Sequence, residues 1–245
     1  MKSSRQTAVL AGAFFIVAAV AAMVGLVLYG PVLHDSHYVA TASGGDTRIL
    51  AGAFSEVILA ISVIGTAVTL FPVVKRQSEG IALGYVAGRV VEAVVIIVGI
   101  MSLLSVVTMR HDAAGATTST LVVAGRALVA VHAWTFLFGP GLAIGVNTLL
   151  LAYLMYRSGL VPRLIAVVGL IGGPLIFVSS AAVLFGLYDQ VSAWGFVAAI
   201  PVFAWEMSLA IWLIAKGFKP SALASLGEIS VRWPRSRARR PRLPG

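Results

Sequence analysis

The sequence predicts an all-α fold: a polytopic membrane helix bundle of about six transmembrane helices, with both termini in the cytoplasm (N-in/C-in). Three observations carry that reading: a composition too apolar for a wetted surface, six long apolar runs, and a one-sided distribution of lysine and arginine. Of the 245 residues 59% are hydrophobic and 11% charged, and the mean hydropathy is +0.98. A soluble domain of this size carries about 25% charged residues. A chain this apolar has too little polar surface to meet water and takes lipid as its solvent.

A helix crosses the hydrocarbon core with roughly 20 apolar residues. The first run, 7–29, stops at Gly30-Pro31. It is long for the apolar part of a signal peptide, so it is expected to be retained as a span. The second run, 49–71, ends at Pro72, and the third, 81–105, stays apolar towards Thr108, a length that implies tilt or extension beyond the bilayer. The fourth, 128–156, lies in a longer apolar stretch that starts near Leu121 and is interrupted by Gly139-Pro140-Gly141. Its outer third either continues outward or lies along the surface. The fifth run is 162–186, with Pro162 suited to a first helical turn, and the sixth is 192–215. Together they form a six-span domain over 1–218, followed by a basic tail, 219–245, rich in Pro, Ser and Arg and expected to be disordered.

Orientation follows from the cations. Lys2 and Arg5, Lys75 and Arg76, Arg157 and Arg163, and eight residues from Lys216 to Arg242 make fourteen on one side; Arg48, Arg110 and Arg126 make three on the other. The positive-inside rule puts the fourteen in the cytoplasm. The net charge of +9 is therefore mainly a topology signal. No specific nucleic-acid partner is expected, and the partner that the tail suits is the lipid bilayer, through anionic headgroups.

Function classes narrow by exclusion. There are no cysteines, which removes thiol catalysis, iron–sulfur clusters and thiolate zinc sites. No nucleophile elbow, phosphate-binding glycine loop or His-Glu-x-x-His motif occurs, so no catalytic residue, metal site or cofactor is assigned, and an enzyme is not the favoured class. His34-Asp35-x-His37 with Asp46, and His111-Asp112, are residue types that zinc accepts, but a solvated loop explains them more simply.

Ionisable groups inside a membrane are costly unless paired or hydrated, which makes them the place to look for function. Arg89, Glu206 and Asn147 lie ~12–14 Å from the cytoplasmic end of their spans, at one level. An Arg89–Glu206 pair braced by Asn147 is the simplest way to satisfy them. Glu92 follows Arg89 by one turn on the same face. Glu92 and Glu56 lie nearer the outer half, with His132 at the outer boundary. Two readings compete: Arg89 with Glu206 or Glu92 as a buried ion pair that fixes helix register, or Glu206–Arg89–Glu92–Glu56–His132 as a polar track for a solute, proton or ligand. Three acids against Arg89 leave at least one acid without a basic partner.

Three stretches carry a resemblance. Phe71-Pro-Val-Val-Lys-Arg leads into Gly88-Arg-Val-Val-Glu92; then come Leu154-Met-Tyr-Arg-Ser-Gly-Leu-Val-Pro-Arg163 and Glu206-Met-Ser-Leu-Ala-Ile-Trp-Leu-Ile-Ala-Lys-Gly217. Together they resemble a bacterial integral-membrane family catalogued as domain of unknown function 4386, over roughly 5–218. The resemblance implies a multi-pass protein of the bacterial inner membrane, a retained first span, and Arg89, Glu92 and Glu206 as parts of a shared scaffold. It implies no activity. The expected function is binding or passage of a small solute or proton along the buried polar residues; the alternative is a structural or accessory membrane protein with Arg89–Glu206 as a register pin.

Overall fold

The computed structural model describes residues 2–35, 37–40, 45–112 and 115–232. Every regular element among them is helical. Helix α1 spans Lys2–Leu28, α2 Gly30–His34, α3 Asp46–Val74, α4 Glu79–His111 and α5 Thr118–Phe136. A π-helical segment, Leu137–Ala143, links α5 to α6 (Ile144–Ser158); α7 (Arg163–Leu184), α8 (Ala193–Ala215) and α9 (Pro220–Arg232) follow. Six helical stretches are long and apolar enough to cross a membrane: α1, α3, α4, the α5–α6 unit, α7 and α8. Their surfaces are as greasy as their cores, with Phe54, Ile61, Met101, Ile171 and Val178 each 60–68% exposed. Only a lipid environment accommodates such a belt.

Chain neighbours are spatial neighbours. α1 packs on α3, α3 on α4, α4 on the α5–α6 unit, α6 on α7 and α7 on α8, and α8 closes on α1. This up-and-down ring gathers the start of α1, the end of α3, the start of α4, the end of α6, the start of α7 and the end of α8 at one end. That end carries Arg5, Lys75, Arg76, Arg157, Arg163 and Lys216, and is the basic end below.

The structure departs from the sequence reading in several places, each with a local cause. α1 ends at Leu28, just before Gly30-Pro31 as expected, but a second short helix follows at once. Proline lacks an N–H that a first turn does not need, so the pair opens α2 directly after α1. Pro72 likewise lies inside the end of α3, and Pro162 caps α7 from outside its first turn. The fourth span is continuous helix from Thr118 to Ser158. Pro140 removes one donor, and the i→i+5 pattern of the π segment absorbs the loss without a break. At 1.5 Å per residue α4 is ~50 Å long, well beyond a ~30 Å hydrocarbon core. α5 runs alongside its far part. The expected disorder of the tail is also corrected: α9 is helical, because Ala222 and Leu226 fall one turn apart and bury against the bundle. The rest of the tail, 233–245, lies outside the described residues.

Small residues set the helix spacing. Gly145 and Gly173 bring α6 and α7 to backbone contact: a Cβ on Gly173 would stand 2.8 Å from the Gly145 carbonyl oxygen and 2.9 Å from the Leu149 nitrogen. Gly169 receives the Trp205 ring of α8, and Gly12 seats α1 on Ala210. Without a hydrophobic force between helices in lipid, this close packing supplies the association energy. At the basic end Arg5 donates to the carbonyls of Leu213, Ile214 and Ala215, satisfying the open end of α8 and tying it to α1. Replacing Gly173 with Val should lower stability by about 1–3 kcal/mol, since the atoms it meets are backbone and cannot move aside. Gly80→Ala, with nothing within 4 Å of the new carbon, should cause no loss. Thermal unfolding of the two variants in detergent checks this pair.

Candidate intramembrane site

Two polar assemblies lie inside the ring. The first is built on α4, where Arg89 and Glu92 share a face one turn apart. Arg89 Nη1 donates to Glu92 at 3.2 Å, and Nη2 reaches across the ring to Glu206 Oε1 on α8 at 2.8 Å. Asn147 Nδ2 on α6 donates to Glu92 Oε2 at 2.7 Å. The Phe15 and Tyr85 rings stand 5.7 and 5.6 Å from the guanidinium, and the Tyr85 hydroxyl bonds Thr66 on α3. α1, α4 and α8 therefore meet at one cation, and α3 and α6 join the cluster through Tyr85 and Glu92. Arg89 is 3% exposed and Asn147 0%. Gly88 makes this possible, because any Cβ there would strike the Asn147 side chain. The cluster sits between the two apolar cores, one around Leu154 and Trp205 towards the basic end, the other around Ile49 and Leu103. Its ion pairs and amide contact run between side chains of the cluster itself.

The sequence-based geometry needs one adjustment here. Asn147 braces Glu92, not the Arg89–Glu206 bond, so Glu92 belongs to the same level as the other three.

The second assembly lies farther from the basic end. A cavity of about 270 Å³ is bounded by α1, α3, α4, α5, the π segment and the start of α8. Glu56, Tyr29, His132 and Thr135 are its polar lining. Tyr29 faces Glu56, and its ring meets that of His132 edge-on, with centroids 5.4 Å apart. Three glycines make the room: a Cβ on Gly25 would crowd Glu56, one on Gly52 would crowd Tyr29, and one on Gly99 would crowd His132 and Thr135. Ser55 donates to the Ala21 carbonyl and locks α3 to α1 beside the site. Among the described residues no lysine or arginine pairs with Glu56; both other intramembrane acids are held by Arg89. The structure thus separates the six candidates into Arg89, Glu92, Glu206 and Asn147 at one level, and Glu56 with His132 at another. Met23, Leu26 and Phe136 line the same cavity and are 52, 51 and 37% exposed on the apolar surface, so it opens sideways.

Comparison with known proteins identifies the family. The family model described as Domain of unknown function (DUF4386) matches residues 10–217. The chain belongs to that family. The match takes in the whole of both assemblies and stops just before α9. No curated protein matches the chain, and no solved structure does.

A third polar group in this DUF4386 protein tightens the far end. Arg110 at the end of α4 pairs with Asp46 at the start of α3; the Tyr38 hydroxyl donates to Asp46 Oδ1 at 2.8 Å, and His111 Nε2 lies 3.0 Å from Oδ2. Burial, together with the hydrogen bond to Asp46, pushes the Tyr38 hydroxyl up to about 12, so it stays a donor at neutral pH. His34 turns instead to the Gly30 carbonyl. Among the described residues no three His, Asp or Glu side chains converge as a metal set.

Tyr29, Thr135 and Tyr85 were missed as site residues. Tyr29 was read as the last residue of a span before a helix stop, and only the continuation into α2 reveals it as a wall of the cavity. The available signal was three glycines at positions where their helices would otherwise bury apolar side chains. Replacing Arg89 with Leu should cost about 3–5 kcal/mol, because it strands the buried Glu92 and the partly buried Glu206. Glu206→Gln should cost less, since Glu92 still serves the guanidinium. Denaturation midpoints and expression yields of the two variants check the order.

Proposed function

We propose that the protein is a multi-pass protein of the bacterial inner membrane that binds a small lipophilic solute, cationic or proton-donating, in the Glu56 cavity. One observation carries the reading: an intramembrane acid with no lysine or arginine partner lines a cavity that also holds His132 and Tyr29. A carboxyl at that depth needs a proton, water or a cation. The cavity, about 270 Å³, is at the small end of ligand sites, which run from about 300 Å³. Its side opening suits a molecule that reaches it through lipid. The basic end is assigned to the cytoplasm by its lysines and arginines, and the tail arginines suit anionic headgroups at that surface.

A second reading is favoured by the closure of the Arg89 cluster. Arg89 bonds both Glu92 and Glu206 and is 3% exposed, the geometry of a pin that fixes helix register. The two readings fall on different residues. In this division Arg89 holds the ring together, and a non-catalytic accessory protein would use it alone and leave Glu56 idle.

Glu56→Gln separates them. Purified wild-type protein in nanodiscs, screened against small hydrophobic amines, should show a ligand that raises the unfolding temperature. At a hundredfold excess over Kd, binding stabilises by about 2.7 kcal/mol, a rise of roughly 5–10 °C for a chain of this size. Glu56→Gln should keep the unliganded stability and lose the rise. A variant that unfolds as Arg89→Leu does, or a screen in which no amine distinguishes it from wild type, would sink the binding reading and leave the accessory one.

A further inference from the structure

A cavity separate from the Glu56 site, of about 660 Å³, opens at the basic end between the first turns of α1, the end of α3 and the α8–α9 junction. Its polar lining is Ser4, Arg5, Thr7, Arg76 and Lys216, and no acidic side chain is among its described walls. Arg5 is committed to the α8 carbonyls, which cancels the negative end of that helix. Arg76 lies in the turn after α3 and Lys216 in the turn after α8; both are exposed and form no ion pair among the described residues. The start of α1 adds the positive end of a 27-residue helix. The opposite wall is apolar, built from Phe218 and Leu223, and α9 is held over it by the burial of Ala222 and Leu226.

We propose that this cavity binds a phosphate ester with an apolar portion, its phosphate between Arg76 and Lys216 and its apolar part against Phe218 and Leu223. Two cations on one cavity wall beside a helix start are donors that a phosphate accepts from. The volume and the apolar wall exceed what inorganic phosphate alone would fill. The same chemistry is offered by the headgroup of an anionic phospholipid and by a soluble phosphate ester. The site is separate from the Glu56 cavity and does not depend on how that cavity is used.

Native mass spectrometry of the full chain in detergent tests this, with phosphatidylglycerol, phosphatidylcholine and glycerol 3-phosphate as probes. Wild type should retain phosphatidylglycerol over phosphatidylcholine, and R76A/K216A should bind it about 30-fold more weakly, at roughly fivefold per cation. If the double variant fails to fold, R76A alone, at an exposed helix end, should show the fivefold loss. Displacement of phosphatidylglycerol by millimolar glycerol 3-phosphate would place the soluble ester as the ligand; no displacement would place the lipid there. R237Q/R239Q/R240Q, in the tail, should leave the preference intact. The proposal is overturned if R76A and R76A/K216A bind as wild type does, or if the tail variant alone abolishes the preference.

Discussion

The rest of the bundle depends on the cost of holding a guanidinium away from water. An isolated charge at that depth is costly, and the chain meets the cost by bringing two carboxylates and two aromatic rings to Arg89. Doing so requires α8 to face α4 across the ring, α6 to come close enough for Asn147 to bond Glu92, and α1 to place Phe15 over the cation. Sliding any of these helices by a turn would break one of those contacts. Apolar packing alone would tolerate sliding, because lipid tails are as apolar as leucine.

Glycine is the complement of that constraint. Gly88 admits Asn147, and Gly25, Gly52 and Gly99 admit Glu56, Tyr29 and His132. At each position the missing side chain is the space that a polar one occupies. Gly145 and Gly173 do something different, since they bring backbones together with no polar partner. Glycines in this chain therefore serve two purposes that look alike in the sequence: close packing of helices, and recesses for polar side chains. The π segment at Leu137–Ala143 adjoins the second kind. It carries Pro140 into the cavity wall, and such irregular turns often occur where a helix must present a functional group.

Besides the Arg110–Asp46 group at the far end, polar side chains gather at three levels along the bundle axis. Arg5, Arg76 and Lys216 line the basic end, the Arg89 cluster lies in the interior, and Glu56 with His132 lies beyond it. The Arg89 cluster lies between the levels of the two cavities.

The sequence by itself determined the membrane class, the six spans and the identity of the buried ionisable residues. Those follow from local costs: apolar runs of a given length, and charges inside them, mean the same thing whatever the partners are. It also placed Arg89 opposite Glu206, since both lie a similar distance from the same end of their spans. What it could not decide was the pairing of the remaining acids. Glu92 and Glu56 both looked like outer-half acids, and only the ring order shows that Arg89 takes Glu92 and leaves Glu56 beside Tyr29 and His132. The helix through Gly139-Pro140-Gly141 and the docking of α9 were also decided by tertiary structure. A proline can end, kink or ride within a helix according to what packs on either side, and a short amphipathic segment folds only when a surface exists to bury its apolar face. Depth is written in the chain one residue at a time; partnership across a ring, between residues 117 apart, is set only when the helices close.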